Sequence, residues 1–179
     1  MAEWEKARTK CADLCYELNM STADITDLDE LMKLYKAAVG EEGCTWNEDY
    51  PNEDDIRGDI GRASLYCMRD GQGSIMAAFA IDDDAEVRAL SCWSAQNEPA
   101  GEVSRLVVRR DCQNRGIARR MLAFAMEELA RRGYAGIHFL VSKTNERAIR
   151  SYSRLNFELA GETELYGQDW YCYEKELHN

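Results

Sequence analysis

Apolar positions recur along the chain with two spacings, and the points where one spacing gives way to the other divide it into elements. Across 115–132, Ile117, Ala118, Met121, Leu122, Ala125, Met126 and Leu129 form one stripe at steps of three and four. That spacing predicts an amphipathic helix, with Glu127–Arg131 and Glu128–Arg132 as exposed i,i+4 pairs and Gly133 as its stop. Ile25, Leu28, Leu31, Met32, Tyr35 and Ala38 predict an earlier helix ending at Gly40; Asp24 is its N-cap, with Asp27 at the third helical position. Asn52 caps a second helix, acidic in its first turn, that runs to about Arg62. A further helix covers 145–154. The runs 65–68 and 74–81 are almost continuously apolar and flank Asp70-Gly71-Gln72-Gly73, the pattern of an antiparallel hairpin. Strands follow at 102–109, 136–142, 157–162 and 170–176, and a short one lies near 16–20.

In the second half strand and helix alternate, which requires crossovers and predicts a mixed sheet with helices on both faces. There is no internal repeat, no biased segment, and Pro51 and Pro99 are the only prolines. With 179 residues, the expectation is a single domain over 15–179 behind an N-terminal extension, 1–14, that is helical or frayed. A chain of this length buries roughly 70% of its unfolded surface, so it needs neither disulfides nor a metal to fold.

Charge narrows the partners. Lys plus Arg number 22 against 33 Asp plus Glu, a net charge of -11, which excludes a surface devoted to nucleic acid or to anionic membrane. Within 105–154 the balance reverses, with twelve basic residues against four acidic, so a polyanionic ligand belongs there. The runs Glu53-Asp54-Asp55 and Asp82-Asp83-Asp84 read as solvated surface. Seven cysteines include no Cys-x-x-Cys pair and no neighbouring histidine. They read as small buried thiols, with no metal site. The chain lacks the 18 or so uninterrupted apolar residues of a membrane span, and residues 1–6 lack the character of a secretory leader. The expectation is a cytoplasmic protein without a membrane partner.

Gln113-Asn114-Arg115-Gly116-Ile117-Ala118 lies between a predicted strand and the start of the long helix. There, backbone N–H groups and the helix dipole can cradle an anion, with Arg115, Arg119 and Arg120 supplying charge. The segment lacks the second glycine of a dinucleotide-binding turn and the Gly-Lys-Ser/Thr of a P-loop. Spacing alone leaves an anion cradle and an ordinary helix with a basic first turn both open.

At these residues the chain resembles the GNAT superfamily of acetyl-CoA-dependent N-acetyltransferases. The family's Q/R-x-x-G-x-G/A signature matches Gln113, Gly116 and Ala118 behind the strand 102–108. A second block matches Asn145, Ala148, Ile149, Tyr152, Leu155 and Phe157. The resemblance implies an α/β (α+β) fold: a central, mixed, mostly antiparallel twisted sheet of six to seven strands, flanked by about four helices. A V-shaped opening is implied between the fourth and fifth strands, here 102–109 and 136–142. It implies acetyl-CoA as cosubstrate and no metal. Leu106, Val107 and Val108 would offer backbone groups to the pantetheine arm, while Asn114, Arg115, Gly116, Ile117, Ala118 and Arg119 would hold the pyrophosphate, with Gln113 also among the cofactor-binding residues. Asn145 and Tyr152 fall on one helix face toward the cofactor, with Tyr152 as the general acid near sulfur.

Three positions depart from the family pattern. Ala118 and Asn156 stand where glycine is commoner, and Leu140 stands where members that acetylate ribosomal proteins carry a glutamate base. Acyl transfer to an amine needs a group to take the amine's proton. Glu102, at the mouth of the thioester strand, is the leading candidate, with His138 as the lesser one. Trp46 and Tyr50, in a loop with carboxylates, would wall the acceptor and suit a small cationic amine. A protein N-terminus or lysine is the alternative acceptor, and a non-catalytic acyl-CoA sensor the alternative of another class. A homodimer is left open.

Overall fold

The computed structural model describes residues 19–177. Its strands are β1 (Asn19–Thr22), β2 (Leu65–Arg69), β3 (Ile75–Asp82), β4 (Ala100–Val108), β5 (Gly136–Ser142), β6 (Glu158–Leu165) and β7 (Gln168–Glu176). They form one sheet in the order β1-β2-β3-β4-β5-β7-β6. All neighbours are antiparallel except β4 and β5. The helices are α1 (Leu28–Ala38), α2 (Glu53–Gly61), α3 (Ala85–Arg88), α4 (Ile117–Arg131) and α5 (Glu146–Tyr152). One core lies between the sheet and α4 with α5, the other between the sheet and α1 with α2.

The predicted caps are in place. Asp24 and Asp27 close a reciprocal capping box, but around a 3-10 turn, Ile25–Asp27, that precedes α1. The turn rotates Ile25 out to 49% exposure, and Leu34, outside the predicted stripe, is buried in its stead. Asn52 accepts from the amides of Asp54 and Asp55 at the start of α2. The long helix begins at Ile117 and not at 115, because Asn114 (φ 60°) and Gly116 (φ 75°) are left-handed. Arg131 pairs with Glu128 and not with Glu127, and Glu128 also holds Arg132 and the Tyr66 hydroxyl. Asn156 does take the left-handed conformation after α5 (φ 56°). The strand expected near 16–20 is seen as β1, ending at Thr22. Its first residues and the extension 1–14 lie outside the described residues.

The feature that positions the site is the parting of β4 from β5. Their parallel ladder has three pairs, Ala100↔Gly136, Gly101↔Ile137 and Glu102↔His138. Beyond Glu102, β4 bulges: its register with β3 shifts between Ala80↔Ser104 and Ala78↔Val107, and Arg105 sits at φ 50°. A bulge bends the strand that carries it, and β4 turns away while β5 continues along β7. Gly101 lets α4 close on the vertex, since a Cβ there would stand 2.2 Å from a Leu129 methyl.

Candidate active site

The V opens into a cleft of about 820 Å³. At one end it is lined by β4, the 113–118 turn and the start of α5. At the other end stand Trp46, Tyr50, Asp55, Asp82, Asp84, Glu102 and Tyr166.

The edge of β4 facing β5 has no strand partner after Glu102, so its backbone groups are available to a ligand lying along Leu106, Val107 and Val108. Val107 turns its side chain into the second core, and the Val108 carbonyl already accepts from Gln113 Nε2 at 3.1 Å. Gln113 is a tie more than an open ligand group. Its amide also donates to Glu41 (3.0 Å), and its Oε1 accepts from Arg147 (2.5 Å), joining the end of β4 to α5. Asn114, Gly116, Ile117 and Ala118 line the cleft, with Gly116 allowing the turn to hug the helix start. Arg115 and Arg119 do not line the cleft proper, and the Arg119 guanidinium packs beside Gly116. Asn145 caps α5 by accepting from the Ala148 amide at 3.0 Å. Its side chain packs so closely on Gly43 that a Cβ there would lie within 2.9 Å of it.

Tyr152 lines the cleft at 8% exposure, edge-on to Phe139 with centroids 5.3 Å apart. Burial pushes its hydroxyl up to about 12. A neutral phenol that stays protonated can donate to a developing thiolate. Glu102 is 8% exposed, and its Oε2 accepts from the Asp84 amide at 3.1 Å. Burial first, then the neighbouring Asp82 carboxylate, push its carboxyl up to about 8, the range suited to a base working near neutrality. Leu140 also lines the cleft. His138 does not. It lies 3% exposed under the Trp93 ring, centroids 4.5 Å apart, and burial pushes it down to about 4. The substrate cannot touch it there.

The sequence reading missed the cluster behind the end lined by Tyr50, Asp82 and Glu102. Arg105, counted there toward a polyanion, has a side chain only 8% exposed and spent on the protein. It donates to Asp59 (2.8 and 2.9 Å), to Asp82 (2.6 Å) and to the Tyr50 hydroxyl (3.0 Å). Its own carbonyl accepts from Tyr35 at 3.0 Å, fixing the bulge. The run 82–84 is not mere surface. Asp82 accepts from Ser104 at 3.0 Å, and Asp84 caps α3 and accepts from the Tyr166 hydroxyl at 2.6 Å. Trp46 packs edge-on against Tyr35, centroids 5.4 Å apart, Tyr50 is 38% exposed, and both line this end of the cleft.

The profile of the acetyltransferase (GNAT) family matches residues 28–157, and the chain belongs to that family. Among curated proteins nothing matches. Solved structures share the fold. A GNAT-family acetyltransferase of Streptococcus agalactiae superposes with a TM-score of 0.78 at 20% identity, covering 92% of this chain and 98% of its own. An acetyltransferase of Salmonella typhimurium, solved with its cofactor acetyl-CoA, gives 0.70 at 17% identity, covering 91% and 95%. The ribosomal-protein-S18-alanine N-acetyltransferase of Escherichia coli gives 0.67 at 19%, covering 89% and 93%. No helix among the described residues is long and apolar enough to cross a membrane.

Proposed function

We propose that this acetyltransferase carries the acetyl group of acetyl-CoA to a primary amine of a small cationic molecule, by direct attack with both substrates in the cleft. The observation that carries the reading is the placement of Glu102. It stands at the vertex of the V, where an unpaired β4 edge meets an end lined by Asp55, Asp82, Asp84, Tyr50 and Tyr166. The pantetheine arm lies along Leu106 to Val108, and the pyrophosphate meets the turn Asn114 to Ala118, with Arg115 and Arg119 adding charge. Asn145 holds α5 beside it.

An ammonium entering among these carboxylates is attracted, but it cannot attack until it loses a proton. Glu102 takes that proton, and the Asp82 and Asp84 charges that raise its affinity for protons make it a stronger base. A β4 amide polarises the thioester carbonyl. Tyr152 gives its hydroxyl proton, or a hydrogen bond, to the departing thiolate.

The test is incubation with labelled acetyl-CoA and two acceptor pools, small amines and peptides with free N-termini or lysines. Label in the small di- and polyamines is the expected result. Label confined to peptides would overturn the acceptor class, and bound acetyl-CoA with no label in either pool would overturn the enzyme reading in favour of a sensor.

A further inference from the structure

The β3–β4 connection, residues 83–99, folds over one face of the sheet and buries a row of polar side chains. Registers place Asp82 beside Glu102, Glu102 beside His138, and His138 beside Glu174, on four adjacent strands. Register partners project from the same face on strands about 4.8 Å apart. Glu102↔His138 is the last ladder pair before β4 and β5 part; Glu102 borders the cleft, and His138 stands beside it on the same face, covered by Trp93 of the connection.

His138 is held flat under Trp93, and neither ring nitrogen has a hydrogen-bond partner among the described residues. Neither does Asn97 Oδ1 in the same layer. Buried polar atoms are nearly always paired, so an imidazole with both nitrogens uncommitted beside a carboxyl is not explained by packing. The titratable groups that face it are Glu102 from β4, Glu174 from β7 and Glu98 from the connection. Glu174 is buried and fixed by the Ser94 amide and hydroxyl (3.0 and 2.6 Å), whereas Glu98 is exposed to solvent.

Resting on the reading of Glu102 as base, we propose that His138 is a relay that carries the proton from Glu102 out of the cleft. The ammonium N–H bond breaks, its proton passes to a Glu102 oxygen, and the freed electron pair attacks the thioester carbon; as the C–S bond then breaks, the nitrogen loses a second proton, which replaces the one Tyr152 gives to the departing sulfur. The Glu102 O–H then passes its proton through a water to one His138 nitrogen; the step runs uphill, from a carboxyl at about 8 to an imidazole at about 4, so the imidazolium is a transient carrier and not a resting state. The imidazolium so formed lies between the Glu174 and Glu98 carboxylates. It releases a proton to Glu98 and so to bulk water, and Glu102 regains its charge for the next turnover. Export is needed only for a charged acceptor. An ammonium ion and acetyl-CoA yield an amide, a thiol and one proton, while a neutral amine yields the amide and thiol alone.

The test compares His138→Phe and His138→Gln with wild type on an alkylamine substrate and on its trifluoromethyl analogue, an amine that is neutral at neutral pH. Phe keeps the stacked ring and Gln keeps polarity, but neither accepts a proton; whichever folds with wild-type acetyl-CoA affinity carries the comparison. The expected result is about a tenfold loss of kcat, below the 10²-fold of a direct acid–base residue, with the alkylamine and none with the fluorinated analogue. An equal loss on both amines would make His138 merely structural, and no loss on either would remove the relay; both overturn it. Should wild type acetylate no amine, or Glu102→Gln keep full rate, the underlying reading fails and takes the relay with it.

Discussion

A carboxyl buried beside other carboxylates, as Glu102 is, destabilises the fold that holds it. Its folded-state affinity for protons is raised to about 8 from an ordinary 4.5. The native protein therefore binds a proton there that the unfolded chain has released, and stability from this group falls as pH rises from about 4.5 through about 8. His138, pushed down to about 4 from 6.5, has the opposite sign: its contribution is lost as pH falls through that window. Glu102→Gln is thus expected to raise the melting temperature at pH 8.5 more than at pH 4, assay values chosen to bracket the transition; equal shifts at both would contradict the burial argument. Tyr152 is tested differently. The thioester sulfur accepts hydrogen bonds poorly until charge develops on it, so Tyr152→Phe should lower kcat by about 10²-fold and leave acetyl-CoA affinity unchanged. Wild-type kcat, measured where chemistry limits the rate, would make Tyr152 a packing residue. Both residues were named as candidates through the family resemblance, Glu102 at the mouth of the implied thioester strand and Tyr152 on the implied cofactor face of a helix, and both line the cleft. Neither environment was legible, because Asp82 reaches Glu102 through sheet pairing, Asp84 through the turn after β3, and Phe139 meets Tyr152 only when α5 packs on the sheet.

Elements set by local periodicity were readable, and those set by distant partners were not. The α4 stripe, the β2–β3 hairpin and the caps at Asp24 and Asn52 depend on residues within a few positions of one another. The 83–99 connection has no such period. Trp93, Ser94 and Cys92 find their partners on β5, β7 and β6, so it could not be resolved. The bulge in β4 is likewise invisible in an apolar run, since what holds it is the Arg105 fork closed by Asp59 from α2 and Asp82 from β3. Removing one member of a buried ion cluster leaves its partner uncompensated, at about 3 to 5 kcal/mol. Asp59→Ala is therefore expected to lose about 3 kcal/mol or more in chemical denaturation, and a loss below about 1 kcal/mol, the surface-pair range, would show that Arg105 is not spent as described.

Over the whole molecule the two charge signs are sorted along the cleft, though less simply than the sequence balance implied. Arg105, Arg109, Arg131 and Arg132 each have a carboxylate partner, so the positive stretch 105–154 is largely neutralised away from the 113–119 turn. The end of the cleft lined by Asp55, Asp82 and Asp84 keeps an excess of carboxylates with Glu102 at its apex. On the proposed function, one ligand is drawn by backbone amides and a helix start, the other by negative charge, and they meet where β4 leaves β5. The measurement that tests this most directly is thiol release from saturating acetyl-CoA as a function of pH, for wild type and Glu102→Gln, with the small amine that labels best. Wild type should show a rate that rises with pH toward a plateau above about 8, as Glu102 loses its proton. The variant should be slower by about 10²- to 10⁴-fold at neutral pH, lack that limb, and bind acetyl-CoA as wild type does. A variant with the wild-type rate and the same pH dependence would show that the proton leaves by another route and that Glu102 is not the base.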